Sequence, residues 1–253
     1  MLLAAIDTAT LTLSFALLEA GPGGVQVLAA RDERAAPRAA PGGTTGHGAR
    51  LPEALVELLR ERGLGLAQVE AWAVGLGPGS FTGLRIGLAS AKGLAYAARR
   101  PIAGVSSLAA MALAAAPDAA AGALLVPLLD AKKGEVYAGF YERRGPGEVA
   151  QVRPDAALPP AGLLEALAAL RPMAGAVGFG EGYLAYAAAL EGGLPRLATE
   201  VVGPSAGAVG RLAAPALLGA GFDVARLSAL EPHYVRKSDA EVKFPDGLPP
   251  RAL

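Results

Sequence analysis

The sequence predicts an α/β protein of two lobes, each a βββαβα unit in which a mixed sheet carries helices. Three observations lead there. Short apolar runs ending in aspartate recur at 2–7 (LLAAID) and 123–130 (ALLVPLLD). The first is followed at 11–18 (LTLSFALL) by apolar/polar alternation, the mark of a strand with one solvated face. The second is followed at 134–142 (GEVYAGFYE) by a run rich in Val, Tyr and Phe. Laid together without gaps, the stretch from Asp7 to Glu19 covers the stretch from Asp130 to Glu142, and the later elements keep the same order. That pattern reads as an internal duplication.

In chain order, a Gly21-Pro22-Gly23-Gly24 turn leads into a third strand at 25–30, closing an antiparallel meander. A polar loop rich in Pro and Gly covers 32–46. Thr44 and Thr45 are candidate N-caps for a helix over about 47–62, with Leu51, Leu55, Leu58 and Leu59 on one stripe and Gly63 as its stop. A buried strand at 71–75, a Gly/Ala-rich helix near 82–98 and a strand at 102–105 complete the first lobe, whose boundary falls near 104. The near-apolar stretch 101–129 is cut by Pro117-Asp118, so it reads as helix, turn and strand rather than as a membrane span. The second lobe, 105–203, continues with a strand near 148–152, a helix near 160–171, a strand at 174–179 and a helix after Glu181. A helix at 204–220 is expected to pack back on the first lobe, and 221–253 reads as a Pro-rich tail.

Composition narrows the chemistry. Of 253 residues, 53% are apolar and 18% charged, which suits a sizeable core and argues against global disorder. There is no cysteine, so disulfides, thiolate metal sites and cysteine nucleophiles are excluded. Two histidines, His47 and His233, cannot build a histidine-rich metal site, and no metal ligand set is expected. Twenty-three basic residues balance 23 acidic ones, so no global field draws the chain to nucleic acid or to a membrane. The start, Met1 to Asp7, lacks a basic segment and a long apolar run, and a soluble cytoplasmic chain is expected.

The strongest motif is 75–95, a strand, glycine loop and helix start. Gly77 and Gly79 permit close backbone approach, and Ser80 or Thr82 can cap the helix, a geometry that suits either an anion or a tight structural turn. It is neither a phosphate P-loop, since no GK[ST] follows, nor a dinucleotide fingerprint, since Thr82 stands at the third glycine's place. The helix carries a small-residue row (Gly83, Gly87, Ser90 or Ala91, then Gly93 or Leu94) whose glycines cost about 1 kcal/mol each relative to alanine. Packing on the lobe's own sheet or on a partner's helix would offset that. Asp7, Thr8 and Thr10 open a hairpin that suits either a Mg²⁺–phosphate group or a structural turn, although Ala9 stands where glycine would admit phosphate. Gly203-Pro-Ser205-Ala-Gly207 fits a hydrolase nucleophile pattern with Asp223 and His233 following, but too little chain remains for the usual acid- and base-bearing elements. An N-cap at Ser205 explains the same residues.

The segments AAIDTAT (4–10), HGARLPEALVELL (47–59), AVGLGPGSFTGLRIGLASAKGLA (73–95), GVSSLAAMA (104–112), LLDAKKGEVYAGFY (128–141) and LEPHYVRKSDAE (230–241) resemble the TsaB (YeaZ) family in order along nearly the whole chain. The resemblance implies the two-lobed actin-like ATPase (ASKHA) fold with two ribonuclease-H-like lobes. It also implies a non-catalytic scaffold in making threonylcarbamoyladenosine in tRNAs that read ANN codons. The implied partners are a catalytic TsaD-like paralogue, a TsaE-like ATPase and a second copy of the chain, with tRNA met only through the complex. No cofactor is expected to be stably bound, while the resemblance leaves room for ATP or ADP at the subunit seam. The paralogue's HxxxH metal motif is matched by His47-Gly-Ala-Arg-Leu51, with Leu51 at the second histidine, so neither metal chemistry nor a glycoprotease activity is expected. The family's first-lobe helices make the partner contact. The expected seam is therefore four helices, two per subunit, built on Leu51, Leu55, Leu58, Leu59, Gly83, Gly87, Ala91 and Leu94. The alternative is a small-molecule kinase of the same fold, using Asp7, Thr8 and Thr10 on phosphate with the Gly77–Gly79 loop and Ser80.

Overall fold

The computed structural model describes residues 1–34, 47–145, 147–170 and 175–236. Strands β1 (Leu2–Asp7), β2 (Thr12–Gly21) and β3 (Gly24–Arg34) form the antiparallel meander. After α1 (His47–Glu61), β4 (Ala71–Gly75) joins β1 in parallel, and β5 (Ile102–Val105) joins β4 in parallel after α2 (Phe81–Ala98). The five-stranded order is β3-β2-β1-β4-β5. Helix α3 (Ser107–Ala115) then leads to a second sheet of β6 (Leu124–Lys132), β7 (Glu135–Gly145), β8 (Glu148–Leu158) and β9 (Ala176–Phe179), ordered β8-β7-β6-β9. Helix α4 (Pro160–Ala169) precedes β9, and α5 (Glu181–Ala185) and α6 (Ala187–Leu190) follow it. Both sheets place their first strand between an antiparallel and a parallel neighbour, which is the ribonuclease-H-like plan of the actin-like fold.

Strand β1 shows why so apolar a run forms a central strand. Ala4 and Ile6 face a core shared with α1 and α2, while Leu3 and Ala5 face the opposite core beneath α7 (Ala206–Leu217). Side chains alternate across a sheet, so a strand buried on both faces needs apolar residues throughout. The second sheet is likewise covered twice, by α4 to α6 on one face and by α3 on the other. Helix α3 belongs to both lobes: Ala110 and Leu113 sit in the first-lobe core, whereas Leu108, Met111 and Ala112 sit in a second-lobe core. A boundary at 104 therefore cuts through β5 and ahead of a helix that both lobes share.

The structure departs from the sequence reading in three places. Strand β3 runs to Arg34, beyond the expected 30, and β8 runs to Leu158 rather than 152. The segment after 221 contains a short helix, α8 (Val224–Ala229), capped by Asp223, whose side chain accepts from the Ala225 and Arg226 amides. Its Leu227 is buried against the first-lobe core, so this part of the tail is docked. The candidate caps Thr44 and Thr45, and all of 237–253, lie outside the described residues.

Candidate functional site

The glycine loop begins where β4 ends, beside the ends of β1 and β5. Asp7, the last residue of β1, is 1% exposed. Its Oδ2 accepts from Ser107 Oγ at 2.7 Å and its Oδ1 accepts from the Ala9 amide at 2.8 Å. The Ser107 hydroxyl also accepts from the Gly77 amide at 3.1 Å. Burial pushes the Asp7 carboxyl up to about 6, against the opposing pull of the Ser107 and Ala9 bonds and with a small upward contribution from Asp32.

The close backbone approach that glycine allows is used by the chain itself. A Cβ at Gly75 would lie 1.8 Å from Asp7 Oδ2, and one at Gly79 would lie 2.2 Å from the Ala9 carbonyl oxygen. At Gly83 it would lie 2.2 Å from the Thr8 carbonyl oxygen, and at Gly87 2.1 Å from Thr8 Oγ1. The Thr8 hydroxyl donates to the Gly83 carbonyl at 2.8 Å, and the Ser80 amide donates to the Ala9 carbonyl at 2.7 Å. Ser80 Oγ caps α2 by accepting from the Gly83 amide at 3.3 Å. Thr10 Oγ1 accepts from the Thr12 amide in the hairpin turn.

Asp7, Thr8, Thr10, Gly77, Gly79 and Ser80 are thus brought together, but as an internal joint. The amides of Gly77, Ser80 and Gly83 are already bonded within the chain, and a buried carboxylate stands among them. Of the two readings the sequence leaves open, an anion site or a structural turn, these bonds match the turn: the loop is closed by the chain's own β1–β2 segment. Ser107, which links Asp7 to Gly77, was not singled out from sequence. Its only signal was a pair of serines after an apolar strand, which marks a helix start and not a partner 100 residues away.

At the corresponding turn of the second lobe, Asp130 Oδ2 accepts from Lys132 Nζ at 2.6 Å and Oδ1 from the Lys132 amide at 2.8 Å. Burial raises that carboxyl, but these bonds outweigh it and leave its pKa lowered. A further polar cluster joins the lobes. Asp155 of β8 accepts from Ser106 Oγ at 2.7 Å, Tyr141 Oη at 2.8 Å and Gln151 Nε2 at 3.0 Å. Its members lie on two strands, β7 and β8, and one helix cap, so no sequence spacing pointed to it.

The expected seam residues need correcting. Leu51, Leu55, Leu58 and Leu59 of α1 are at most 3% exposed and form the first-lobe core with β1, β2 and β4. Gly83 and Gly87 abut Thr8, Ala91 is fully buried and Leu94 packs on the same core. A 15-residue helix with one leucine stripe has a single apolar face, and the sheet together with α2 takes it. What α1 turns outward is Pro52, Glu53, Val56, Glu57 and Arg60, which line a shallow groove. From α2 the outward residues include Phe81, Arg85, Ala89, Gly93 and Tyr96, with Phe81 41% and Tyr96 59% exposed.

Ser205 accepts from the Ala208 amide as the N-cap of α7, and Asp223 caps α8. The hydrolase pattern is thereby accounted for by helix capping. Side-chain geometry at His47 lies outside the described residues, and among those described no cluster of His, Asp or Glu suits a metal. No described helix is long and apolar enough to cross a membrane.

Comparison with known proteins agrees with this architecture. Residues 37–169, more than half of the chain, match the family model described as TsaD: tRNA N6-adenosine threonylcarbamoyltransferase. YeaZ from Pseudomonas aeruginosa is 31% identical and superposes with a TM-score of 0.70 over 92% of this chain and 99% of its own. The tRNA threonylcarbamoyladenosine biosynthesis protein TsaB of Haemophilus influenzae is 45% identical over 91 residues, which are 36% of this chain and 38% of that protein. TsaB of Bacillus subtilis is 34% identical over 155 residues, 61% of each chain. These two curated matches each take in less than two thirds of the relative's length, whereas the YeaZ structure is matched almost end to end. On the family model, the shared fold and the near-complete match to a YeaZ structure, the chain belongs to the TsaB (YeaZ) family.

Proposed function

We propose that this chain is a non-catalytic scaffold in tRNA threonylcarbamoyladenosine biosynthesis, acting by binding a TsaD-like paralogue through the outer face of α2. A TsaE-like ATPase then works on the pair, and tRNA is met through the complex. The observation that carries the reading is Gly93. It sits in mid-helix, and a Cβ built on it meets nothing within 4 Å. Gly83 and Gly87 are explained by Thr8, but nothing among the described residues requires a glycine at 93, where it costs about 1 kcal/mol of helix stability. A close-packed helix from outside the chain supplies the missing reason.

The neighbouring surface supports the same reading. Ala89 and Ala97 lie one turn either side of Gly93, and Phe81 and Tyr96 leave aromatic area in solvent, residue types favoured at binding hot spots. The closed glycine loop and the internally bonded Asp7 weigh against phosphoryl transfer by this chain alone. ATP or ADP, where it binds, is expected at the subunit seam, and homodimers would use the same face in the paralogue's absence.

The test is reconstitution. The purified chain, its TsaD-like paralogue, the TsaE-like ATPase, threonylcarbamoyl-adenylate and substrate tRNA are combined, with the chain omitted or present. Modified tRNA is expected only when the chain is present, and calorimetry is expected to show direct binding to the paralogue. Full modification without the chain, or ATP turnover by the chain alone, would overturn the reading and favour the kinase alternative.

A further inference from the structure

The C-terminal segment from Phe222 to Arg236 runs antiparallel to α2 and then crosses to the second lobe. At the far end of α2, the Phe222 ring meets Tyr96 edge-on at 6.1 Å. Midway, Lys92 Nζ donates to the Ser228 carbonyl at 3.1 Å. At the start of α2, the Tyr234 ring stacks on Phe81 at 5.1 Å, and its hydroxyl accepts from Arg85 Nε at 3.0 Å. The His233 amide donates to the Leu76 carbonyl of the glycine loop at 2.7 Å.

The same few residues also hold the second lobe. Arg236 Nη1 donates to the Ala131 carbonyl at 2.8 Å and to Glu135 at 3.2 Å, both on the β6–β7 hairpin. His233 Nδ1 lies 3.8 Å from Asp155 Oδ2, whose side chain is fully buried. Asp155 is in turn bonded to Ser106, the N-cap of the helix that both lobes share.

We propose that residues 230–236 are a latch that sets the separation of the two lobes, with Tyr234 anchored on the first and Arg236 and His233 on the second. Apart from this segment, the lobes are joined by α3, packed between their cores, and by the return of the chain through 197–206, bonded to Gly178 and Glu181 of the second lobe and through the Ala206 amide to Ser14 of the first. The latch is a third tie, and its release would leave the two crossings as the hinge between the lobes. Apart from Leu230, partly buried on the first-lobe core, the latch contacts are polar or aromatic and half-exposed, so each is weak and the segment can release without unfolding either core.

The absence of native cysteine makes the test clean, because two introduced thiols are the only labelling sites. Spin labels on Ala67→Cys in the first lobe and Glu165→Cys in the second report the interlobe distance by double electron–electron resonance, in the full-length chain. The same protein is followed by amide exchange over 230–236. One variant, His233→Ala with Arg236→Ala, cuts the second-lobe end; another, Phe81→Ala with Tyr234→Ala, cuts the first-lobe end. Each is first checked for a cooperative melt, so that one still decides should the other fail to fold. The latch predicts a longer and broader distance distribution together with lost protection of the 233 or neighbouring amides. Faster exchange with an unchanged distance distribution would reduce the segment to a docked tail and overturn the proposal, as would no change in either measurement.

Discussion

Ser107 Oγ donates to Asp7 Oδ2 at 2.7 Å while accepting from the Gly77 amide, so one hydroxyl joins the end of β1, the glycine loop and the start of α3. The three elements are far apart in sequence, and the bond locks the turn that fills the loop. It also leaves a carboxylate buried with no cation beside it among the described residues, which makes stability depend on pH.

Asp7 titrates near 6 in the folded chain, against about 3.9 when unfolded. A carboxyl whose folded pKa is raised favours the folded state when protonated. Its contribution is therefore fully present below about pH 4 and lost as pH rises through 6. The difference corresponds to about 3 kcal/mol between pH 4 and pH 8. Asp7→Asn removes the titration, so the stability of that variant relative to the parent is expected to rise by that order across the window. Urea melts at several pH values measure it, and a pH-independent difference would show that Asp7 does not titrate there.

Two glycines on one helix should respond in opposite directions. Gly87→Ala would place a methyl 2.1 Å from Thr8 Oγ1 and is expected to destabilise by about 1–3 kcal/mol. Gly93→Ala meets open space in a helix interior and is expected to stabilise by up to about 1 kcal/mol. Thermal melts of the two single variants suffice. Stabilisation by both would mean that Thr8 yields easily.

Partner binding should separate the outer face of α2 from the buried leucine stripe. Gly93→Arg is expected to keep the fold and weaken binding to the paralogue at least tenfold, about 1.4 kcal/mol. Leu55→Asp, 1% exposed in the core, is expected to lose the cooperative melt itself. Calorimetric titration after a melting check distinguishes them. Unchanged affinity for Gly93→Arg would move the contact elsewhere.

Asp155 accepts three hydrogen bonds that tie β7, β8 and α3 together. Asp155→Ala leaves the Ser106, Tyr141 and Gln151 donors without that acceptor and is expected to cost about 2–4 kcal/mol. Tyr141→Phe removes one donor and is expected to cost about 1 kcal/mol. Chemical denaturation compares them, and equal losses would point to Tyr141 as the dominant member.

How much of this was legible beforehand depends on the range over which each feature is encoded. The duplicated βββαβα order was readable because apolar runs, alternation and glycine punctuation are local, and Leu3 to Ile6 announce a doubly covered strand by composition alone. The Ser80 and Ser205 caps were of the same kind, since each hydroxyl bonds an amide three residues on. The leucine stripe of α1 was visible too, but a stripe states only that a helix has an apolar face. Whether its own lobe or a partner covers it is settled by where the sheet and α2 lie, and together they bury the four leucines. The same holds for the glycines of α2, alike in sequence yet separated by tertiary structure into Gly83 and Gly87 against Thr8 and Gly93 in the open. Asp7 with Ser107, the Asp155 cluster and the C-terminal crossing join residues remote along the chain, and no periodicity records such pairings. Local patterns along the chain set which segments become strands and helices and which face of each is apolar; what each face meets is set by packing, because that depends on distances between elements the chain brings together after they form.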